Sequence, residues 1–271
     1  MDILIAIVLG IVEGITEFLP VSSTGHLILV GHLLGFTGRM SETFDVIIQL
    51  GAILAVVILY RHRFISLLPQ KGWMNWSKSN AGLSGFQGCF LLGMTTLPAL
   101  IVGKLAYTTI KTHLFNPVSV AVAMAVGGIG ILIVELRRAK PRTESLDRIR
   151  WPQALTIGLF QCLSMWPGTS RAAATIVGGL LNGLDRKTAA EYSFLAAVPV
   201  MIAATIYDLY KNWSHLQVGD FFLLAIGFAV SFVVAYFTVA AFIRILQRWT
   251  LKPFAWYRLA LAPIILLFWP D

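Results

Sequence analysis

Charged residues are scarce in this chain of 271 residues. They make up 13% of the sequence, whereas 57% of the residues are hydrophobic; an ordinary soluble domain carries about 25% charged residues. A soluble fold is therefore excluded, and we expect an integral membrane protein with little room for a separate soluble domain. Basic residues still outnumber acidic ones, 21 to 13. Because they lie in short loops between apolar runs, they indicate cytoplasmic loops beside anionic lipid rather than nucleic-acid binding.

Cysteine is almost absent as well. Cys89 and Cys162 are the only two, and both lie within apolar segments, which excludes a disulfide framework and a cysteine-based metal site. The start of the chain also lacks the basic residues of a secretory signal, and Glu13 and Glu17 interrupt the apolar run that such a signal requires. We therefore expect this segment to remain in the mature protein.

Long apolar runs are what the sequence has in abundance. Two apolar regions, 2–36 and 152–184, are each divided by a proline, Pro20 or Pro167, which disfavours a continuous helix. Both are predicted to be re-entrant helix–loop–helix hairpins. The fold class is thus all-α and polytopic, with these two hairpins and six transmembrane helices. Six runs are long enough to cross a bilayer: 44–60, 86–106, 117–136, 189–210, 220–243 and 254–270.

The distribution of basic residues predicts the topology. They concentrate in the loops 61–85 and 137–150, which the positive-inside rule places in the cytoplasm. The first hairpin then enters the membrane from outside and the second from the cytoplasm. Two halves that repeat in sequence but are inverted in the membrane place a binding site where their breaks meet, near the midplane.

The two breaks also resemble each other in sequence. Placing Pro20 on Pro167 brings Ser23 onto Ser170. Together with the charge distribution, this pairing predicts a single membrane domain built from two inverted repeats. The repeats span about 1–136 and 151–271, and 137–150 is the cytoplasmic linker between them.

Two carboxylates lie just before the first break. Glu13 and Glu17 are four residues apart and so share one helix face. In an apolar setting two such groups cannot both ionise without a cation. They are expected to share a proton, to hold a divalent metal through oxygen ligands, or to face an arginine. The alternative is that they reach the headgroup region and are only solvated.

Small and hydroxyl-bearing residues follow each proline. Such residues either only cap the next helix or, with the free N–H groups and the dipole of the helix start, also bind an anion such as phosphate. His26, three residues after Ser23, is a candidate nucleophile, general acid or base, or metal ligand, with a purely structural histidine as the alternative. Phosphate binding is predicted for Ser22, Thr24, Gly25, Gly168, Thr169, Ser170 and Arg171.

Arg171 lies between apolar runs, where an unpaired guanidinium is costly. It requires an anion, which Glu13, Glu17 or a ligand phosphate can supply. Its planar fork suits phosphate because it donates two hydrogen bonds at once. The alternative is a purely structural pair between arginine and glutamate across the interface of the two repeats.

With these motifs, the chain resembles the undecaprenyl-pyrophosphate phosphatases of the bacitracin-resistance type, which are enzymes of the bacterial inner membrane. The resemblance is carried by residues 13–26 and 167–171 and extends to 44–51 and 253–258. It implies an enzyme that hydrolyses undecaprenyl (C55) pyrophosphate to undecaprenyl phosphate and inorganic phosphate, which recycles the lipid carrier for peptidoglycan and other cell-wall polymers. It also implies a multi-pass protein of the inner membrane with an active site that opens toward the periplasm.

The resemblance further implies the roles of individual residues. The catalytic residues would be Glu17, Ser23, His26 and Arg171, and Glu13 and Glu17 would hold a divalent cation, Mg²⁺ or alternatively Ca²⁺. The implied partners are the polyprenyl pyrophosphate substrate and membrane lipid, without nucleic acid, and a homo-oligomer is compatible with the sequence.

One departure from the family pattern follows Arg171. Ala172 and Ala173 stand where the family usually has serine and glycine. If the missing hydroxyl contacts phosphate, affinity or turnover is lower. The alanines leave the backbone N–H groups in place, so the helix start can still bind an anion.

The sequence leaves open which residue is the nucleophile and whether the protein is an enzyme or a transporter. Either Ser23 attacks phosphorus, with Glu17 or His26 taking its proton, or His26 attacks and Ser23 positions the substrate. The rival function is a polyprenyl-phosphate flippase or a small-molecule transporter, because transporters also use inverted repeats and broken helices. The combination of hydroxyl, imidazole, carboxylate and guanidinium around one point favours the enzyme.

Overall fold

The computed structural model describes residues 2–69, 82–137, 140–212 and 221–269. These residues form α-helices, two short 3₁₀ helices at Leu146–Arg148 and Leu163–Met165, and no strand beyond one isolated bridge, which confirms the all-α class. Parts of the predicted cytoplasmic loops, 70–81 and 138–139, lie outside the described residues. The helices are α1 Ile3–Thr16, α2 Ser23–Leu33, α3 Arg39–Leu59, α4 Arg61–Leu67, α5 Gly85–His113, α6 Pro117–Leu136, α7 Trp151–Cys162, α8 Arg171–Leu181, α9 Arg186–Asn212, α10 Phe221–Leu246 and α11 Lys252–Phe268.

The described helices agree with five of the six predicted membrane spans. The predicted sixth span corresponds to α11, which has 17 residues. At about 1.5 Å per residue this helix is roughly 26 Å long, slightly less than the hydrocarbon core of about 30 Å. The chain is therefore a multi-pass membrane protein with five helices that meet the length and hydropathy of a span: Met40–Leu59, Gly85–Ala106, Pro117–Leu136, Arg186–Tyr207 and Phe221–Leu246.

Both predicted hairpins are broken at their prolines. In the first, α1 ends at Thr16, the chain turns through Pro20, and α2 begins at Ser23. In the second, α7 is followed by a 3₁₀ turn and Pro167, and α8 begins at Arg171. The four helical pieces have 14, 11, 12 and 11 residues, so none is long enough to cross a bilayer alone.

Glycines allow the broken helices to approach their neighbours closely. In α1, a Cβ on Gly14 would lie 2.7 Å from the Cβ of Val234 and 2.8 Å from the carbonyl oxygen of Ser231, both on α10. In α7, a Cβ on Gly158 would lie 2.8 Å from the carbonyl oxygen of Met94 on α5. Small residues at such contacts are typical of helix packing in membranes.

We expect Gly158→Ala to lower the thermal unfolding midpoint in detergent. The added methyl group would meet backbone atoms of Met94 and Thr95 at 2.8–2.9 Å, and overpacking of this kind costs about 1–3 kcal/mol. Gly130→Ala is the matched control, because a Cβ there meets no atom of the described residues within 4 Å. Equal midpoints for the two variants would contradict the packing of α7 against α5.

An aromatic cluster connects the first break to three long helices. Phe18, in the break, packs edge-on against Phe194 of α9, with ring centroids 5.2 Å apart. Phe194 lies 6.1 Å from Phe242 of α10, which packs edge-on against Phe254 of α11 at 5.3 Å. Phe18, Phe194 and Phe242 are all at most 1% exposed. The non-helical backbone of the break is thus buried in protein, as irregular backbone at membrane depth requires.

Ion pairs connect helices at the predicted cytoplasmic side. Arg186 at the start of α9 donates from Nε and Nη2 to the carboxylate of Glu135 at the end of α6. Arg63 donates to Asp147 at 2.7 Å. Burial raises the pKa of Asp147, but hydrogen bonds from Arg63 and the Leu83 amide outweigh burial and leave the pKa below its ordinary value. The stability contributed by Asp147 is present above its unfolded pKa and is lost as the pH falls through the folded value.

Candidate active site

Each break ends in a serine that caps the following helix. The Oγ of Ser22 accepts a hydrogen bond from the Gly25 amide at 3.4 Å, and the Oγ of Ser170 accepts one from the Ala173 amide at 3.2 Å. Both serines have a left-handed backbone, with φ of 71° and 70°. A non-glycine residue in this region costs about 1–3 kcal/mol and persists only where its surroundings impose it. The two breaks therefore hold the same strained capping geometry.

This geometry pairs the two breaks one residue away from the sequence pairing. The matching caps are Ser22 and Ser170, whereas alignment of the prolines places Ser23 on Ser170. The reason is that two residues separate Pro167 from Ser170 but only Val21 separates Pro20 from Ser22. As a result, Ser23 and Arg171 are the first residues of α2 and α8.

Glu17 brings the two helix starts together. The Ser23 hydroxyl donates to its Oε2 at 2.5 Å, and the Arg171 Nη2 donates to its Oε1 at 3.0 Å. Glu17 is 6% exposed. Three of the four residues predicted to be catalytic thus meet at one carboxylate, and Glu17 is the anion that faces Arg171. A hydroxyl that donates to a carboxylate, which a third group orients in turn, is the arrangement that nucleophilic catalysis uses.

The guanidinium of Arg171 contacts three further groups. It donates from Nη1 to the Ser193 carbonyl at 3.1 Å and from Nη2 to the Met201 sulfur at 3.5 Å, and it lies 5.2 Å from the centre of the Phe18 ring. Its Nε is buried and donates to no acceptor of the described residues. Because every N–H of a guanidinium is a donor, the Nε–H is available to a ligand oxygen.

His26 lies beside Ser22 rather than on Glu17. Its Nδ1 is 2.7 Å from the Ser22 carbonyl oxygen, and its Nε2 is 2.7 Å from the hydroxyl of Tyr257 on α11. The two rings are nearly parallel, at an interplanar angle of 4°. Tyr257 was not a candidate from the sequence, because its partner comes from a segment 231 residues away.

Glu13 is buried without a donor. It is 1% exposed, and no N–H or hydroxyl group of the described residues donates to either carboxylate oxygen. The charged groups that act on it are Glu17, Asp45 and Arg171. Asp45 on α3 is a further acidic residue that sequence reasoning did not single out. A buried carboxylate in this setting must be compensated by a proton or a cation.

The carboxylates fit the donor set of a magnesium site. The described residues contain no group of three or more histidine, cysteine, aspartate or glutamate side chains placed to hold a metal. Mg²⁺, however, is usually bound through one or two carboxylates, with substrate phosphates and water as the other ligands. Glu13, with both oxygens free of donors, and its neighbour Glu17 are carboxylates of the kind that such a site uses.

The predicted phosphate-binding residues lie at the two helix starts. The Gly25 amide donates a hydrogen bond to the Ser22 hydroxyl oxygen, and the Ala173 amide donates one to the Ser170 hydroxyl oxygen. Thr24 is partly exposed. The carbonyl oxygens of Gly168 and Thr169 accept hydrogen bonds from Arg258, so this part of the second break is also held from α11. Gly168 also has a φ of 94°, and a Cβ there would collide with the Val120 carbonyl.

Arg258 on α11 is the structural residue that sequence reasoning missed. It is fully buried and donates five hydrogen bonds, all to backbone carbonyl oxygens. The available signal was a lone arginine in an apolar helix, within a stretch noted only for the resemblance. Its acceptors belong to both breaks and to α6: Pro20, Gly168, Thr169, Ala123 and Met124.

Known proteins match this chain from end to end. A family described as "Bacitracin resistance protein BacA" matches residues 6–264. The chain is 57% identical to the undecaprenyl-diphosphatase of Solidesulfovibrio magneticus over 98% of both chains. It is 56% identical to the undecaprenyl-diphosphatase of Maridesulfovibrio salexigens over 97% of both chains, and 48% identical to undecaprenyl-diphosphatase 1 of Bacillus anthracis over 98% of both. The matched region includes every site residue described above.

Proposed function

Because the chain belongs to the bacitracin resistance protein BacA family, we propose that it hydrolyses undecaprenyl diphosphate to undecaprenyl phosphate and inorganic phosphate. The observation that carries the proposal is Glu17, which accepts from Ser23 at 2.5 Å and from Arg171 at 3.0 Å inside a buried break. A hydroxyl can attack phosphorus when it is hydrogen-bonded to a carboxylate that takes its proton and that an arginine holds in place. The relatives named undecaprenyl-diphosphatase support the choice of substrate.

Ser23 is the nucleophile in this proposal. Its Oγ forms a bond to the terminal phosphorus, the bond from that phosphorus to the bridging oxygen breaks, and undecaprenyl phosphate leaves. The proton of the Ser23 hydroxyl passes to Glu17, which is already within hydrogen-bond distance. Water then cleaves the phosphoserine ester, which releases phosphate and restores the hydroxyl. The geometry favours Glu17 over His26 as the base, because the imidazole is engaged by Ser22 and Tyr257.

The two helix starts bind the diphosphate. The dipoles and first-turn N–H groups of α2 and α8 attract an anion, and the unused Nε of Arg171 adds a charged donor. These groups stabilise the charge that develops on the transferred phosphoryl group. Thr24 and Thr169 supply further hydroxyls in this part of the proposal.

A divalent cation, Mg²⁺ or alternatively Ca²⁺, would be held by Glu13 and Glu17. When bound, it would neutralise charge on the diphosphate oxygens. Glu13 supports this assignment because its two buried oxygens have no donor among the described residues. Glu17 would serve both the cation and Ser23.

We also infer the predicted inverted repeat from the helix packing. Pairing α1 with α7, α3 with α9, α5 with α10 and α6 with α11 makes the contacts reciprocal. The first hairpin packs α1 against α10, and the second packs α7 against α5. Likewise α2 contacts α11 whereas α8 contacts α6. This reciprocity supports six spans and two re-entrant hairpins. The family leads us to propose the bacterial inner membrane as their location, with the pocket open toward the periplasm.

The same reciprocity favours a second candidate function, a polyprenyl-phosphate flippase or a transporter, because inverted repeats support alternating access. The short hydrogen bond from Ser23 to Glu17 favours the enzyme, since a transporter does not require a nucleophile that is hydrogen-bonded to a base. Purified protein in detergent, where no gradient exists, distinguishes the two functions.

We expect the purified protein to release phosphate from undecaprenyl diphosphate in detergent, to lose that activity with a chelator, and to regain it on addition of Mg²⁺. Released inorganic phosphate and the lipid monophosphate are measured together and should appear in equal amounts. Boiled protein is the control. Translocation of lipid phosphate in vesicles without any phosphate release in detergent would contradict the proposed hydrolysis and favour the flippase.

A further inference from the structure

Tyr257 connects the exposed side of α11 to the strained serine beside the nucleophile. Its side chain is 46% exposed, whereas His26, which it contacts at 2.7 Å, is 9% exposed. The other ring nitrogen of His26 lies 2.7 Å from the Ser22 carbonyl oxygen. Ser22 is the left-handed cap immediately before Ser23. A continuous chain of contacts therefore runs from Tyr257 through His26 and Ser22 to Ser23.

The partners of His26 determine its tautomer. A carbonyl oxygen can only accept, so the Nδ1 that faces Ser22 must carry the proton. In the neutral ring Nε2 is then unprotonated and accepts a hydrogen bond, so the Tyr257 hydroxyl must be the donor. The imidazole is thus fixed at both nitrogens, with the proton on the side of Ser22. A nucleophilic role for His26 would require the Tyr257 hydroxyl to leave Nε2.

The hydrogen bond to Ser22 acts on the backbone that aims the nucleophile. The Ser22 carbonyl oxygen accepts two hydrogen bonds from His26, one from the ring Nδ1 at 2.7 Å and one from the backbone amide at 3.4 Å. The peptide group between Ser22 and Ser23 therefore has a defined orientation. That peptide group places the Ser23 Oγ 2.5 Å from Glu17. Positive φ at Ser22 must be held by its surroundings, and His26 supplies the side-chain part of that restraint.

We propose that Tyr257 is a positioning residue for the reaction, acting through His26. It fixes the imidazole with Nδ1–H toward Ser22 and thereby keeps the Ser23 hydroxyl on Glu17. The proposal rests on the proposed hydrolysis for its kinetic consequence but not for the tautomer itself. Tyr257 contacts the ring of His26, so an effect that it exerts through this ring belongs to turnover rather than to substrate binding.

Tyr257→Phe removes the hydroxyl and keeps the ring that lies parallel to His26. We expect kcat for phosphate release to fall about tenfold, the effect of one lost hydrogen bond, with KM changed less than about twofold. Tyr236→Phe is the matched control, because this tyrosine of α10 packs edge-on against Phe237; its kcat should equal that of the wild type. An unchanged kcat in Tyr257→Phe would overturn the proposal.

A double-mutant cycle separates positioning from a general structural role. In a His26→Ala background, Tyr257→Phe should have no further effect on kcat, because its only partner in the chain of contacts is gone. A tenfold loss in both backgrounds would show that Tyr257 acts elsewhere and would overturn the proposal.

¹⁵N NMR of the histidine rings in nanodiscs tests the tautomer independently of activity. The wild-type His26 signals, assigned by their loss in His26→Gln, should show Nδ1 protonated and Nε2 unprotonated, and Tyr257→Phe should give a mixture of tautomers. A wild-type His26 with the proton on Nε2 overturns the inference even if hydrolysis is observed. The expected tautomer without any phosphate release would instead contradict the proposed function.

Discussion

Glu17→Gln is expected to lower the rate of phosphate release by about a thousandfold. Glutamine keeps the shape of the side chain but cannot take the proton of the Ser23 hydroxyl, which now donates to Oε2 at 2.5 Å. It also removes the charge that pairs with Arg171 at 3.0 Å. The measurement is kcat from released phosphate, alongside the thermal unfolding midpoint. The midpoint matters because an arginine left without its buried partner is itself destabilising, by about 3–5 kcal/mol.

The matched control is Glu144→Gln, which makes the same change at an exposed loop position and should leave both quantities unchanged. A folded Glu17→Gln protein with more than about a tenth of the wild-type rate would contradict the role of Glu17 as the base. The same assay on Ser23→Ala, with Ser41→Ala in the first turn of α3 as its comparator, resolves the identity of the nucleophile. Near-normal turnover in Ser23→Ala would rule out the serine and return the attack to His26.

Arg258→Met is expected to lower the thermal unfolding midpoint by about 10 °C, together with activity. The substitution removes all five hydrogen bonds that this guanidinium makes to backbone carbonyls. It leaves the buried carbonyls of Pro20, Gly168 and Thr169, which lie outside the helices, without this donor, and unsatisfied buried groups are costly. Because the acceptors include Pro20 in one break and Gly168 and Thr169 in the other, the two helix starts should lose their relative position.

Arg244→Met, at an exposed position of α10, is the control for loss of an arginine and should melt as the wild type does. Arg258→Lys should recover the midpoint only in part, since an ammonium group has three donors and cannot reach five acceptors in the plane of a guanidinium. If Arg258→Met melts at the wild-type temperature, Arg258 does not hold the two breaks together.

Local chemistry explains what could be predicted at the site. Proline disfavours helix at and before its own position, so the breaks near Pro20 and Pro167 could be placed from the sequence. A serine before an apolar run predicts a cap, and Ser22 and Ser170 are caps. The burial cost of a guanidinium required an anion for Arg171, but three anions were open, and only the packing of α8 beside the first break selects Glu17.

Contacts between distant segments explain what was missed. Arg258 donates to backbone carbonyl oxygens. Because every residue has such an oxygen, no pattern of side chains in the sequence predicts the partners of this arginine. In the sequence, Tyr257 has the pattern of an aromatic residue at a membrane interface. Its hydrogen bond with His26 is visible only in the folded chain. The pairing of Ser22 with Ser170 depended on one extra residue after Pro167, which an alignment on the prolines cannot register.

Hydropathy and the backbone chemistry of neighbouring residues are local properties. They were enough to predict a membrane protein, its helical class, the places where two helices break, and the residues with unusual chemistry. The packing of the helices was needed to show that Glu17 accepts from both Ser23 and Arg171 and that Glu13 has no donor among the described residues. It was also needed to show that Arg258 donates to both breaks and that Tyr257 contacts His26. The physical reason is separation along the chain: Glu17 and Arg171 are 154 residues apart. Their distance in space is set by the packing of whole helices, which no local pattern encodes.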